Sequence, residues 1–568
     1  MPWATRIFRS RLPTPYSMYL AAFEMSPIYE TDMALFANTL KQLWLWLTTY
    51  CVVCCVSNAA VRGAEVAAVL PAEEQLVNRV NQRIRERWEQ EKVVPAARAD
   101  DAEFLRRVYL DLAGKIPPVS VVRQFLDDPA PEKRRAIVRE LLEGPRYIIH
   151  FSNVWRAELL PEVSADPQLQ FLMPSFEAWL RDQLIDNDSY ADLARQLVTF
   201  KIAGAAARNV MDAGGTVSPV AFYQAKEGKP ENLASGTARV FLGLRIECAQ
   251  CHDHPFDTWK QEQFWSFAAF FSGVSRQSAG DIAGPLADVP EKRALEIPGK
   301  KTEAMARYLN GIEPSWQAAE ATRANLADWL TARDNPYFAK AAVNRVWGRL
   351  FGIGIVDPVD DFNEHNPASH PELLEELAQA FTDSGHDLKF LLRVLTATEA
   401  YQLASAMSDP SQDPPQRFAR MSLKGLSPEQ LFDSLAEATG HFERNRRDQG
   451  IFNVEGRPRG EFLEAFSNDT DPPTERPTTI LQALSMMNGQ FVTQMTDPDT
   501  GLLAAVINFP DMQTEERIET LYLAALGRKP RPAELKRLIE HCSTRELPVA
   551  LSDIFWALLN CSEFLLNH

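Results

Sequence analysis

Apolar residues recur at three- and four-residue intervals along most of this chain, a period that predicts helices. Leu76, Val80 and Ile84 put one apolar stripe on a charged helix over 74–92, and Phe104, Leu105, Val108, Tyr109 and Leu112 mark a second, closed by Gly114 and Pro117-Pro118. Similar blocks lie at 119–127, 131–143 and 175–200, and later at Arg323–Leu330, Ala339–Leu350, Pro371–Phe381 and Leu388–Ala397. Few stretches alternate with period two, so the expected fold class is mainly α. Residues 276–320 hold Gly, Pro, Lys and Glu without sustained period and read as an irregular linker between two helical domains, 74–275 and 321–568. No repeat of fixed period is visible, which argues against a solenoid.

One apolar run stands apart. Residues 43–56 follow Lys41 and precede Ser57-Asn58-Ala59-Ala60, the order of a secretory signal with a small-residue cleavage site. Residues 1–64 are therefore expected to be a leader, with Met33 as the true start, and the mature protein to be exported to the periplasm or cell envelope. The run is short for a bilayer span of about 20 residues, so membrane attachment is expected only through an uncleaved leader. A net charge of -17 argues against a nucleic-acid partner, which would need a basic face.

Export changes the meaning of the cysteines. Cys51, Cys54 and Cys55 fall in the leader, which leaves Cys248, Cys251, Cys542 and Cys561 in the mature chain. A helix over about 549–560 would hold the last two about 18 Å apart, too far for a disulfide unless the chain folds back. Cys248-Ala249-Gln250-Cys251-His252 is a C-x-x-C-H motif, the attachment sequence of haem c. In that chemistry both thiols add to the macrocycle's vinyl groups and His252 ligates iron. His254 follows at once, so two thiolates and two imidazoles also describe a site for zinc, iron or copper completed by a distant ligand.

The motif lies between a helical pattern over Leu233–Ile246 and a predicted helix from a Thr258–Gln261 capping box through Phe271. Phe256, Trp259, Phe264, Trp265, Phe267, Phe270 and Phe271 crowd this stretch and suit either a haem wall or an ordinary core. For the opposite iron position the sequence offers Met305, Met421, Met486, Met487, His365 and His370 without selecting one. A second constellation, Asp360, Asp361, His365 and His370, has the donors of a divalent-metal or acid–base site. Its plainer reading is a capping box with Ser369 as cap and Glu372 as partner, and loop carboxylates that accept backbone amides. Arg345, inside a helix, is expected to pair with a carboxylate. No phosphate-binding P-loop, H-E-x-x-H or G-x-S-x-G motif occurs.

The residues Phe241-Leu242-Gly243 through Cys-Ala-Gln-Cys-His-Asp-His-Pro-Phe-Asp resemble the planctomycete-type cytochrome-c-like proteins of unknown function. So do Phe104-Leu-Arg-Arg-Val-Tyr-Leu-Asp-Leu-Ala-Gly114, Asn344-Arg345-Val346-Trp347, Asp360-Asp361-Phe362, Ser369-His370-Pro371, Leu426-Ser427-Pro428-Glu429-Gln430 and the terminal Asn560-Cys561-Ser562-Glu563-Phe564. The resemblance spans about residue 74 to the end and implies a cytochrome-c-like domain followed by an associated C-terminal domain. Larger members resemble this chain but add a cytochrome-like domain ahead of it, for which this sequence has no second C-x-x-C-H.

The resulting expectation is an exported haem-c or metal-binding protein in electron transfer, with Cys248, Cys251 and His252 holding the cofactor and an unnamed redox or envelope partner. A bare metal would draw on His252, His254, His370 and Asp361. The alternatives are a metal-dependent enzyme acting on an extracellular polymer, and a helical scaffold pinned by a structural C-x-x-C.

Overall fold

A computed structural model describes residues 72–164, 167–202, 217–255, 257–276, 285–316, 321–441, 458–466 and 480–568. The leader, Met33 and the first three cysteines lie outside the described residues, as does Phe256. The fold is mainly α, as the apolar period predicts, and residues Glu73–His568 form one compact unit. Among the described residues no helix is long and apolar enough to cross a membrane.

Two apolar cores organise that unit. The larger runs from Leu76 to Met421 in sequence and adds Leu523; the smaller gathers Leu431 to Phe564 and takes in Leu110 and Ile116. Both draw on the Asp101–Ala113 helix and the turn that follows it. Asp100 caps this helix by accepting from the Glu103 amide at 2.8 Å, and Gly114 ends it in the left-handed region at φ 71. The His150 ring fills the space a Cβ at Gly114 would need, so glycine is required there on two counts.

The same helix buries two guanidinium groups. Arg106 donates to the carbonyls of Ala525 at 3.0 Å and Phe564 at 2.8 Å, and Arg107 donates to those of Tyr401 at 2.6 Å and His568 at 3.1 Å. Burial lowers the Arg106 pKa to about 10. A charge is tolerated there because carbonyl dipoles replace its lost hydration.

The interval expected to be irregular contains short hairpins. Val274–Arg276 pairs antiparallel with Leu286–Asp288, and Ala294–Glu296 with Glu303–Met305. Three-residue strands offer too few positions for alternation to show. A third pair, Lys424–Gly425 with Leu566–Asn567, brings the last residues of the sequence back to the segment just before the Pro428–Thr439 helix.

Candidate functional site

The C-x-x-C-H segment is a surface turn fastened from below. Upstream, the Pro230–Thr237 helix runs into one wide turn, Ala238–Leu242, and stops at Gly243 with φ 68, three residues earlier than the pattern through Ile246 predicts. The glycine ends the helix, because other residues strain in that conformation. A single 3-10 turn, Glu247–Gln250, then sets Ala249 into the core while Cys248, Cys251 and His252 remain exposed.

Three side chains hold the turn down. Trp265 Nε1 donates to the Gln250 carbonyl at 3.0 Å, and Gln261 Nε2 donates to the carbonyls of Cys251 at 2.9 Å and Gln250 at 3.2 Å. Asp253 accepts from the Gln261 amide at 3.0 Å and pairs with Lys260 at 3.2 Å, contacts that hold its carboxyl below the usual carboxylate range. The carboxylate thus caps the next helix, Gln261–Ala268, which starts later than the expected Thr258 box. Thr258 donates its amide to Asp257 Oδ1 instead, at 2.6 Å, and the Lys260 amide donates to Gln263 Oε1 at 2.9 Å. Sequence spacing found a capping box but shifted it by two residues, since the capping carboxylate comes from the motif loop itself.

The aromatic cluster is core. Phe264, Phe267, Phe270 and Phe271 are buried, Phe270 stacks on Tyr308 at 5.3 Å, and Tyr308 stacks on Trp329 at 5.1 Å. Among the described aromatics, Trp265 bonds to the motif turn through its side chain and Trp259 through its carbonyl.

His252 Nδ1 lies 2.7 Å from the Asp253 carbonyl. A carbonyl only accepts, so Nδ1 donates in this bond, the arrangement in which a metal-ligating histidine uses Nε2. Cys248 and Cys251 are both free thiols. Two exposed free thiols and an imidazole that donates from Nδ1 thus share one turn tied to the Gln261–Ala268 helix. His254 is half-buried and its amide donates to the Trp259 carbonyl at 2.8 Å.

The second constellation divides. Asp360 is an ion-pair hub: Arg245 donates to Oδ1 at 2.6 Å and 3.0 Å, and Arg239 approaches Oδ2 at 3.4 Å. Burial would raise its pKa, but Arg245, Arg345 and Arg239 together hold the carboxyl below its usual value. The expected role of accepting backbone amides is corrected accordingly. Arg345 pairs with Glu158, as its helical position predicts, and also donates to the Arg239 carbonyl at 3.1 Å. Asp361 Oδ1 accepts from Asn363 Nδ2 at 3.0 Å, inside its own loop.

His370 is a core histidine. It is 6% exposed, its ring centroid lies 5.3 Å from that of Phe418, and burial, then Arg87, pushes its pKa down to about 4. His370, not Ser369, is the residue preceding the Pro371–Asp383 helix, and it makes no side-chain cap bond; Ser369 Oγ donates to the Ile355 carbonyl at 3.1 Å. The expected Ser369 capping box is therefore absent, since the hydroxyl is used by the loop behind it.

His365 is exposed and does reach the motif's flank. With Glu364 it faces Pro255, Asp257 and Thr258 across an open cavity of about 580 Å³. Of the methionines, Met421 and Met486 are buried, whereas Met305 and Met487 are exposed. Among the described residues no three His, Cys, Asp or Glu side chains converge as a ready-made metal cage.

A helical protein with an exposed, rigid C-x-x-C-H turn beside a second helical region is the class these features define. Residues 79–276 match the family described as PSCyt2, a protein of unknown function, and residues 322–461 match PSD1, also of unknown function. These are the two domains of the planctomycete-type proteins, and the chain belongs with them. No curated protein and no solved structure matches the chain.

Proposed function

We propose that this chain is an exported electron-transfer protein that carries haem c on Cys248, Cys251 and His252. The observation that carries the reading is the His252 Nδ1 bond to the Asp253 carbonyl, which keeps Nε2 out of that bond on the same turn that carries two exposed free thiols. When bound, haem would supply a one-electron iron centre, and the residues around it do the rest. Gln261, Trp265 and Asp253 fix the turn so that both thiols and the imidazole keep one orientation. Exposure of the turn suits transfer to a partner that docks on the surface.

Donor count favours haem over a bare metal. A porphyrin fills four iron positions itself, so one imidazole and two thioether links suffice. A structural zinc shell needs four protein donors, for which His370 is buried against Phe418 and Asp361 is engaged by Asn363. His365 would be the further residue to hold the iron, because it is exposed and lines the cavity beside Pro255.

The test is production of the mature chain in a host with a working haem-attachment system. Haem absorbance that survives denaturation, and disappears in Cys248→Ser with Cys251→Ser, is the expected result. A folded chain without covalent haem under those conditions would overturn the reading, and stoichiometric zinc or copper would replace it with the bare-metal site.

A further inference from the structure

Several segments that the haem reading leaves without a role meet at one place. The Asp101–Ala113 helix supplies Asp111, the Pro145–Leu159 helix supplies His150 and Asn153, the start of the Pro428–Thr439 helix supplies Ser427, and the C-terminal strand supplies Asn567. They line a half-enclosed cavity of about 80 Å³. That is room for roughly two or three waters, or for the edge of a larger molecule whose remainder stays in solvent.

Which groups are free decides what could enter. Asp111 is saturated: Lys424 and Asn567 each donate to Oδ1 at 2.7 Å, and Tyr401 donates to Oδ2 at 2.8 Å. Lys424 is saturated as well, with further bonds to the carbonyls of Leu350 at 2.7 Å and Arg349 at 3.1 Å. Arg156 donates to Glu429 at 3.0 Å, so the second carboxylate is also engaged. His150 is buried and neutral, since burial and then Arg349 press its pKa well below the ordinary value; Arg349 donates to its Nε2 at 3.3 Å.

Asn567 is the exception. It is 2% exposed, its Nδ2 is used by Asp111, and its Oδ1 has no partner, an uncommon state for a buried acceptor. Nearby, the Asn153 side chain makes no hydrogen bond to a described residue, and the Ser427 hydroxyl accepts from the Gln430 amide at 3.2 Å while its own proton is uncommitted. The site therefore offers a buried acceptor, an amide that both donates and accepts, and a hydroxyl donor. Its carboxylates already hold cations of the protein.

We propose that this cavity binds an uncharged vicinal diol, such as the edge of a neutral pyranose. One ligand hydroxyl donates to Asn567 Oδ1, and the ligand oxygens accept from Asn153 and Ser427. A hydroxyl is the group that can do both, whereas a carboxylate would face the Asn567 oxygen and an ammonium would find no free carboxylate. The inference does not depend on haem and holds for the chain with or without it.

Calorimetric titration of the full chain with glucose, mannose, galactose, cellobiose and maltose tests it, with glucuronate and glucosamine as charged counterparts. Saturable binding of at least one neutral sugar is expected, with affinity lowered about tenfold in Asn153→Ala and Asn153→Asp at unchanged Tm. Binding of a disaccharide alone would assign the site to a glycan chain and not to a free sugar. No saturable binding tighter than about 10 mM, equal affinity in both variants, or tighter binding of a charged counterpart would overturn the proposal.

Discussion

The backbone amide of Phe362 donates to the carbonyl of Gly243 at 2.9 Å, and the Phe362 ring occupies the space where a Cβ on Gly243 would stand. This one contact joins the loop after the Phe338–Phe351 helix to the residue that opens the C-x-x-C-H segment. Asp360, two residues before Phe362, reinforces it through Arg239 and Arg245. The position of the motif is thus set by a loop more than 100 residues downstream.

Gly243→Ala tests that contact. The left-handed backbone and the Phe362 ring, 2.6 Å from the added Cβ, should together cost about 2–4 kcal/mol in denaturant unfolding. A loss under about 0.5 kcal/mol, the size of an ordinary surface substitution, would show that the contact is not a constraint.

Asp360→Asn removes the carboxylate that, among the described residues, pairs with both motif-side arginines Arg239 and Arg245, and should destabilise by about 3 kcal/mol at neutral pH. Because the folded-state pKa is depressed, the Asp360 contribution is fully present above the unfolded value near 4 and fades as pH falls through the folded value. The difference between wild type and variant should therefore shrink in acid. A pH-independent difference would count against the ion pairs as its source.

His370 gives a separate pH signature. Its folded pKa of about 4 lies below the ordinary 6.5, so the unfolded chain takes up the proton first and stability falls as pH drops from 6.5 towards 4. The full effect is about 3 kcal/mol, and His370→Phe, which keeps a ring beside Phe418, should abolish that part of the slope. An unchanged slope in the variant would move the titration to another group.

For the haem reading, His365→Ala in the loaded protein should convert a six-coordinate, low-spin absorption spectrum to a five-coordinate, high-spin one, without loss of the covalent attachment. A spectrum unaltered by the substitution would remove His365 from the iron. Gln261→Ala should lower the yield of attached haem and stability together, the latter by about 1–2 kcal/mol, since it leaves the Cys251 carbonyl unpaired.

The helices were legible because their apolar stripes are long and regular: Phe104, Leu105, Val108 and Leu112 are buried as their spacing requires. The hairpins near 276–320 were not, because three residues per strand carry no period. In the candidate site, the motif residues could be named from spacing alone, but their footing could not. Gln261 and Asp253 are ordinary polar residues whose role depends on a backbone turn that sequence does not specify. Asp360 and His370 illustrate the same limit in opposite directions, since one proves to be an ion-pair hub and the other a neutral core ring. Most hidden were Asp111, Lys424 and Asn567, which are separated by hundreds of residues and carry no local pattern.

Among the described residues Arg106 finds its carbonyl partners at Ala525, Glu563 and Phe564, and Asp111 completes its shell with Asn567. During vectorial synthesis Arg106 therefore leaves the ribosome some 400 residues before its carbonyls exist, and Asp111 some 300 residues before its first partners, Tyr401 and Lys424. A fragment cut at residue 461, where the second family match ends, would strip Arg106 of these carbonyls and leave Asp111 with Lys424 and Tyr401 but without Asn567. The matched boundaries mark inheritance, while the unit that can hide its own charges extends to the last strand.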